Sequence, residues 1–318
     1  MKIILVAAAL LAMPLAAPAQ AQAEPHHDAI RYASIKSCAG SAGRGPCGPW
    51  RLTMHSGEQR TLPDAQTVSL MPDGATYPYL PAPVAVSGDG TTVAYFVKKS
   101  RRIAVRTLGG GVTLLPANAT PKEAQHVVEL VLSNNGDRLA IKIGYETGYE
   151  AHKEVRIFDT SDGSRVGTIP RGEAMLDFSA DGGEVISTVE AGGSVIDLVV
   201  RADTGERLSR ATPPQLVVAG MPLALAADGR TVAGFIPRKS QLLLYDVESD
   251  QVLRRVPVKL PKGDLSAIDW TGDQQITLHL LDGKRMTVVE IDSETGTVKV
   301  RDRYRLPKDA QSFAACGG

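Results

Sequence analysis

Past its first dozen residues the chain has no long apolar run, and no later stretch approaches the ~20 apolar residues that span a bilayer, so no membrane span is expected. It also lacks net charge. Lys and Arg total 35 and Asp and Glu total 35, which leaves no overall field to steer it toward nucleic acid or an anionic membrane. Cysteine is scarce, at 3, too few for a disulfide-dense scaffold and badly spaced for a zinc site. Histidine, at 6, is scattered over positions 26, 27, 55, 126, 152 and 279, and only His26 and His27 are neighbours, in a polar terminus beside Asp28. There is no Gly-x-Ser-x-Gly elbow, and the glycines at 109–111 are followed by no helix that would hold a phosphate. These absences remove the common routes to catalysis and leave no cofactor implied, with one exception below.

What the chain does have is a repeat. VAVSGDGTTVAYF at 84–96 returns as LVLSNNGDRLAIK at 130–142, LDFSADGGEVIST at 176–188, LALAADGRTVAGF at 223–235 and IDWTGDQQITLHL at 268–280. The starts lie 46, 46, 47 and 45 residues apart. Each copy reads as strand, tight turn, strand. An apolar stretch is followed by Ser87, Ser133, Ser179, Ala226 or Thr271, then two residues on by Asp89, Asn135, Asp181, Asp228 or Asp273. Gly90, Gly136, Gly182 and Gly229 come next, with Gln274 as the departure. An Asp or Asn side chain bonds the backbone of its own turn and Gly supplies the positive φ, so turn chemistry explains the aspartates without a catalytic role. A period near 46 built from strands predicts propeller blades.

The second half of each repeat is another strand pair, as in IAVRTLGGGVTLLP at 103–116 and VRIFDTSDGSRVGTIP at 155–170. Residues 30–63 contain such a second half with no first half before it. A propeller must close to hide its edge strands. The tail at 309–318 is therefore expected to supply the missing innermost strand, through Gln311 to Cys316. The expectation is an all-β chain forming a single β-propeller of six four-stranded blades, closed by its C-terminal tail. Seven blades is the alternative if residues 64–83 or the tail hide more strand.

Residues 1–23 read as a Sec-type signal peptide. Lys2 is the positive start, Ile3 to Ala12 the apolar centre and Ala21-Gln22-Ala23 the small-x-small cleavage site, which implies a secreted, extracellular protein. Residues 24–29 are expected to be a flexible lead-in and 30–318 the propeller domain. Cys38 and Cys47 flank a glycine-rich stretch between two expected strands and are expected to pair. Cys316 is left over, with a free thiol, a bond to another chain, or displacement of one partner all open.

The motifs VSGDGTTVAYF, LSNNGDRLAI, FSADGGEVIS and LAADGRTVAG resemble the repeat core of WD-repeat-like and TolB-type β-propeller proteins, over nearly all of residues 30–316. The Gly-His and Trp-Asp dipeptides of typical WD repeats are absent. The chain is similar to bacterial secreted proteins of this kind, which implies the fold and no particular activity.

Two sets of residues are candidates for function. Two positions before the Ser/Thr/Ala marker sit Ala85, Val131, Asp177, Ala224 and Asp269, on the innermost strand. Asp177 and Asp269 replace small or apolar residues there and are candidates to hold a divalent cation in the central channel; local bonding of each to backbone or water is the bland explanation and the favoured one, since two carboxylates are few for a hard cation. The second set lies on the face where the longer, more varied loops run: 64–83, 117–129 and 144–154. Lys98, Lys99, Arg101 and Arg102, then Arg238 and Lys239, then Lys284 and Arg285 form three basic hairpin tips there, with Tyr77, Tyr79, Tyr145 and Tyr149 among them. Solvated tips are the bland explanation; functional variation on loops held by a rigid frame is the other. The sequence therefore suggests a binding or scaffold module whose partner is a protein or an anionic cell-envelope polymer. A propeller hydrolase or lactonase with a channel metal, and a purely structural envelope component, are the alternatives.

Overall fold

The computed structural model describes residues 29–40, 43–120, 122–144, 153–193 and 195–315, with the backbone alone for Ser312. Residues 1–28, which include the expected signal peptide and most of the expected lead-in, lie outside the described residues, as do Tyr145, Tyr149 and Cys316. Ala29, placed by the sequence in the lead-in, is buried, and its carbonyl accepts from the His55 amide at 2.9 Å.

Six four-stranded antiparallel sheets form the ring. Blade 1 is composite, ordered from the channel outward as Ala310–Ala315, Ile30–Gly40, Gly43–Met54 and Gln59–Leu62. Blade 2 is Val84–Val86, Thr92–Phe96, Ile103–Thr107 and Val112–Leu114, and blade 3 is Val128–Leu132, Arg138–Ile143, Val155–Asp159 and Arg165–Ile169. Glu173–Phe178, Glu184–Gly192, Val195–Ala202 and Arg207–Ala211 make blade 4; Leu223–Leu225, Thr231–Ile236, Gln241–Asp246 and Gln251–Pro257 make blade 5. Blade 6 is Asp264–Gly272, Gln275–Asp282, Arg285–Asp292 and Val298–Arg305. The seven-blade alternative is excluded. Residues 64–83 carry only a two-stranded sheet, Val68–Leu70 with Thr76–Pro81, that belongs to no blade.

The repeat motif builds the turn between the first and second strands and also joins blades. In blade 2, Ser87 Oγ donates to Asp89 Oδ1 at 2.6 Å, the Thr91 amide donates to the same oxygen at 2.9 Å, and the Thr92 amide donates to Ser87 Oγ at 3.0 Å. Gly90 has φ +70°, and a Cβ there would stand 2.5 Å from the Ile30 carbonyl oxygen, so glycine answers both the turn and the close approach of blade 1. The Asp89 amide then donates to the Asn134 carbonyl at 2.8 Å, and the Ala180 amide to the Leu225 carbonyl at 3.0 Å, which stitches blade 2 to blade 3 and blade 4 to blade 5.

There is no single core. Each sheet buries both faces against its neighbours, so the apolar residues gather in six clusters, one per blade interface. The smallest is at the closing seam between blades 6 and 1, with Tyr32, Met286, Val288, Tyr304 and Leu306. Polar and aromatic contacts supplement it: Tyr32 stacks on Tyr304 at 5.1 Å, Arg31 lies over the Tyr304 ring at 5.5 Å, and Arg31 Nε meets Asp302 at 2.8 Å.

Cys38 and Cys47 form a disulfide. The sequence suggested that the bond closes a flexible loop between strand ends. Instead both cysteines sit within long strands, with Cys38 opposite Gly45 and Lys36 opposite Cys47, and the bond staples the outer part of a hairpin that continues to Gly40 and Gly43.

Candidate functional site

The inner strands of all six blades surround a central cavity of about 410 Å³. Its wall includes the residues at the equivalent inner-strand position, Ala85, Val131, Asp177, Ala224 and Asp269, with Phe313, Ala314 and Ala315 from the closing tail. The structure thus brings Asp177 of blade 4 and Asp269 of blade 6 to one cavity, with Ala224 of the intervening blade between them in the ring. Burial pushes the Asp177 carboxyl up to about 6, with Glu129 pushing the same way, while its bond from the Phe178 amide (2.8 Å) and the charge of Lys142 pull it back. Asp269 is pushed well above the carboxylate range, first by burial and then by the negative charge of Asp177. Its side chain keeps 22 % of its surface open. Enclosure inside the ring, where protein displaces bulk water, rather than contact area alone, accounts for that shift.

Three further residues, not identified from the sequence, share the cavity or face these acids. His279 is buried at 2 % exposure, with Nε2 3.8 Å from Asp269 Oδ2. Glu129 lines the cavity and pairs with Lys142 at 2.9 Å. Alternation in ITLHLL carried the signal for His279: Ile276, Leu278 and Leu280 pack between blades, which turns Thr277 and His279 to the opposite side. Among the described residues no group of three or more His, Cys, Asp or Glu comes together as metal ligands.

The second candidate region is the long-loop face. Antiparallel connectivity puts the turns after the first and third strands of every blade on one face, and the turns after the second strands and between blades on the other. On the short-turn face every described turn carries a carboxylate except the one at 108–111. Lys98, Lys99, Arg238, Lys239, Lys284 and Arg285 are exposed on the opposite face. The two faces therefore differ in charge although the chain as a whole is neutral.

The basic residues are not equivalent. Arg101 Nη1 donates to the Met71 carbonyl at 2.9 Å and its Nη2 to the Glu123 carbonyl; Arg102 donates to the Leu115 carbonyl from Nε at 3.2 Å and from Nη2 at 3.0 Å. Both are half-buried and hold loops in place. Lys284 Nζ donates to the Ala310 carbonyl at 2.9 Å, tying blade 6 to the closing strand. Lys98, Lys99, Arg238 and Lys239 make no such side-chain bond among the described residues and stand exposed.

Tyr77 and Tyr79 lie on the extra two-stranded sheet, which is held firmly. The Leu70 amide donates to Gln125 Oε1 at 2.8 Å, Gln311 Nε2 to the Tyr79 carbonyl at 2.6 Å, and Thr67 Oγ1 to the Gly48 carbonyl at 2.9 Å. A Cβ on Gly45 would lie 2.1 Å from the Pro78 oxygen, so the disulfide hairpin passes directly against this sheet. Tyr77 stacks on His126 at 4.6 Å and meets Tyr79 edge-on at 5.6 Å. Tyr79 and Leu80 remain exposed at 42 % and 41 %.

No protein-family model matches the sequence, and no curated protein matches it. Solved structures match in fold. TolB from Acinetobacter baumannii is 15 % identical with a TM-score of 0.46, the match covering 90 % of this chain and 66 % of TolB. A chain of the nidogen/laminin complex is 12 % identical, TM-score 0.45, with 90 % and 97 % covered. The β-propeller domain of Cps50 (Swd1) from Myceliophteria thermophila is 13 % identical, TM-score 0.43, with 71 % of each covered. At this level the likeness concerns fold alone: the chain is a six-bladed β-propeller resembling TolB and WD-repeat proteins at low identity.

Proposed function

We propose that the protein is a secreted binding or scaffold module that engages an anionic partner, a cell-envelope polymer or an acidic protein surface, through its long-loop face. The observation that carries this reading is the separation of charge between the two faces, with exposed lysines and arginines from blades 2, 5 and 6 on one and carboxylate-bearing turns on the other. Such a layout steers and orients a polyanion even in a chain without net charge. The extra sheet adds a rigid aromatic rim, Tyr77 and Tyr79, whose burial on binding needs little ordering. Export follows from the leader-like residues 1–23, and N-terminal sequencing of material recovered outside the cytoplasm tests it.

The metal-dependent hydrolase reading has no ligand set of three or more among the described residues. The direct test of the binding reading is sedimentation of the full-length protein with an anionic envelope polymer such as poly(glycerol phosphate), beside the neutral polymer dextran. Retention by the first and not the second supports it. Equal retention, or none, sinks it.

A further inference from the structure

The central cavity is lined by two carboxylates, Asp177 and Asp269, whose charges repel each other and which the fold leaves incompletely answered. Asp177 Oδ1 accepts from the Phe178 amide at 2.8 Å. Asp269 Oδ2 is sealed from solvent and accepts no hydrogen bond among the described residues; the 3.8 Å to His279 Nε2 is too long for one. A buried acceptor left in this state costs about 1–3 kcal/mol, and more when charged. Lys142, whose charge acts on Asp177, is already paired to Glu129 at 2.9 Å. The space beside the two carboxylates is kept clear by small residues, Ala85, Ala224 and Ala314, in a cavity whose volume of about 410 Å³ falls within the range of small-molecule sites.

We propose that this cavity binds a small primary alkylammonium, its N–H groups donating to Asp177 and Asp269 and its carbon chain lying along the alanine and valine wall. An ammonium offers three donors in a compact charge, which suits two carboxylates that line one cavity, each with part of its side chain open to it. A hard divalent cation is the poorer fit. It takes six to eight oxygens, and among the described residues no group of three or more His, Cys, Asp or Glu comes together to supply them. Binding also relieves the repulsion that raises Asp269 above the carboxylate range. Glu129, Lys142 and His279 are the other ionisable groups facing the pair, and the Glu129–Lys142 pair leaves the net charge there negative. This site is independent of the long-loop face, since it uses none of the basic tips.

Titration calorimetry on the full-length protein tests the assignment, with 1,4-diaminobutane as the probe, 1,4-butanediol as its neutral counterpart and calcium chloride as the metal. The diamine is expected to bind, the diol to give no heat, and calcium to bind more weakly than the diamine. Asp177→Asn and Asp269→Asn should each weaken the diamine about thirtyfold or more. As a control independent of the variants' folding, the parent is also titrated at low pH, where protonation of both carboxyls should abolish diamine binding. Equal binding of diamine and diol, retention of diamine binding by the doubly substituted protein, tighter binding of calcium, or no diamine binding by the parent would each overturn the proposal.

Discussion

Arg51 and Asp309, 258 positions apart in the chain, meet across the closing blade, Nη2 to Oδ1 at 3.1 Å. The pair marks where two distant stretches of the chain become one sheet: five residues of Ile30–Gly40, the strand beside Arg51's own, pair with Ala310–Ala315 and would be an open edge without it. Deleting residues 309–318 should expose that edge and the smallest of the six apolar interfaces. The expected outcome is loss of soluble protein or a fall in melting temperature far beyond that of Arg51→Ala, which should cost no more than about 1 kcal/mol as a partly exposed ion pair. Thermal unfolding of both variants checks it; a truncated protein that melts with the parent contradicts the closure.

Closure of the ring was legible because a count failed to balance: six second halves against five repeat cores. The turn chemistry of Ser87, Asp89 and Gly90 was legible because it is local, spanning five residues. The extra sheet was not. Its anchors reach from Leu70 to Gln125 and from Tyr79 to Gln311, and no local pattern encodes contacts of that range, although the alternation of Tyr77 and Tyr79 hinted at a strand. The same limit applies to the cavity. Asp177 and Asp269 stood out as departures from a repeat position, whereas Glu129 and His279 occupy places that only the assembled ring brings to the channel.

Arg101 and Arg102 read in the sequence like the lysines beside them, yet they hold carbonyls of Met71, Glu123 and Leu115. Arg102→Ser is expected to destabilise by about 1–2 kcal/mol through the loss of those bonds. The fourfold variant Lys98→Ser, Lys99→Ser, Arg238→Ser, Lys239→Ser should stay within about 0.5 kcal/mol per site of the parent, as exposed positions do. Urea unfolding separates the two cases.

The disulfide staples a hairpin that leans on the extra sheet, so its loss should be felt at both. On the chain-entropy view, closing a loop between positions nine residues apart contributes about 2–3 kcal/mol. Cys38→Ser with Cys47→Ser should lower the melting temperature accordingly and raise amide exchange in 76–81 as well as in the hairpin. Unchanged exchange in 76–81 would mean that the sheet is held by Gln125 and Gln311 alone.

Asp177 gives a pH signature of known sign. Its folded pKa, about 6, lies above its ordinary 3.8, so the folded state holds the proton more tightly than the unfolded chain. Its contribution is present below the lower value and is lost as pH rises through the upper one. Carboxyls held low by arginines, such as Glu173 beside Arg201, act in the opposite sense at acid pH, so the comparison is a difference between parent and variant. Asp177→Asn should be more stable than the parent at pH 7 by at least about 1 kcal/mol, with the gap closing toward pH 4. A gap independent of pH would show that the carboxylate is not destabilised by the channel.

The central claim is that the exposed basic tips of the long-loop face meet an anionic partner. The measurement that tests it most directly is the affinity of the full-length protein for poly(glycerol phosphate) as sodium chloride rises from about 0.05 to about 0.5 M, over which the Debye length shrinks severalfold. Parent affinity is expected to fall steeply with salt, and the fourfold serine variant at 98, 99, 238 and 239 to bind weakly with a shallower salt dependence. Equal affinity of parent and variant, or binding indifferent to salt, would contradict it.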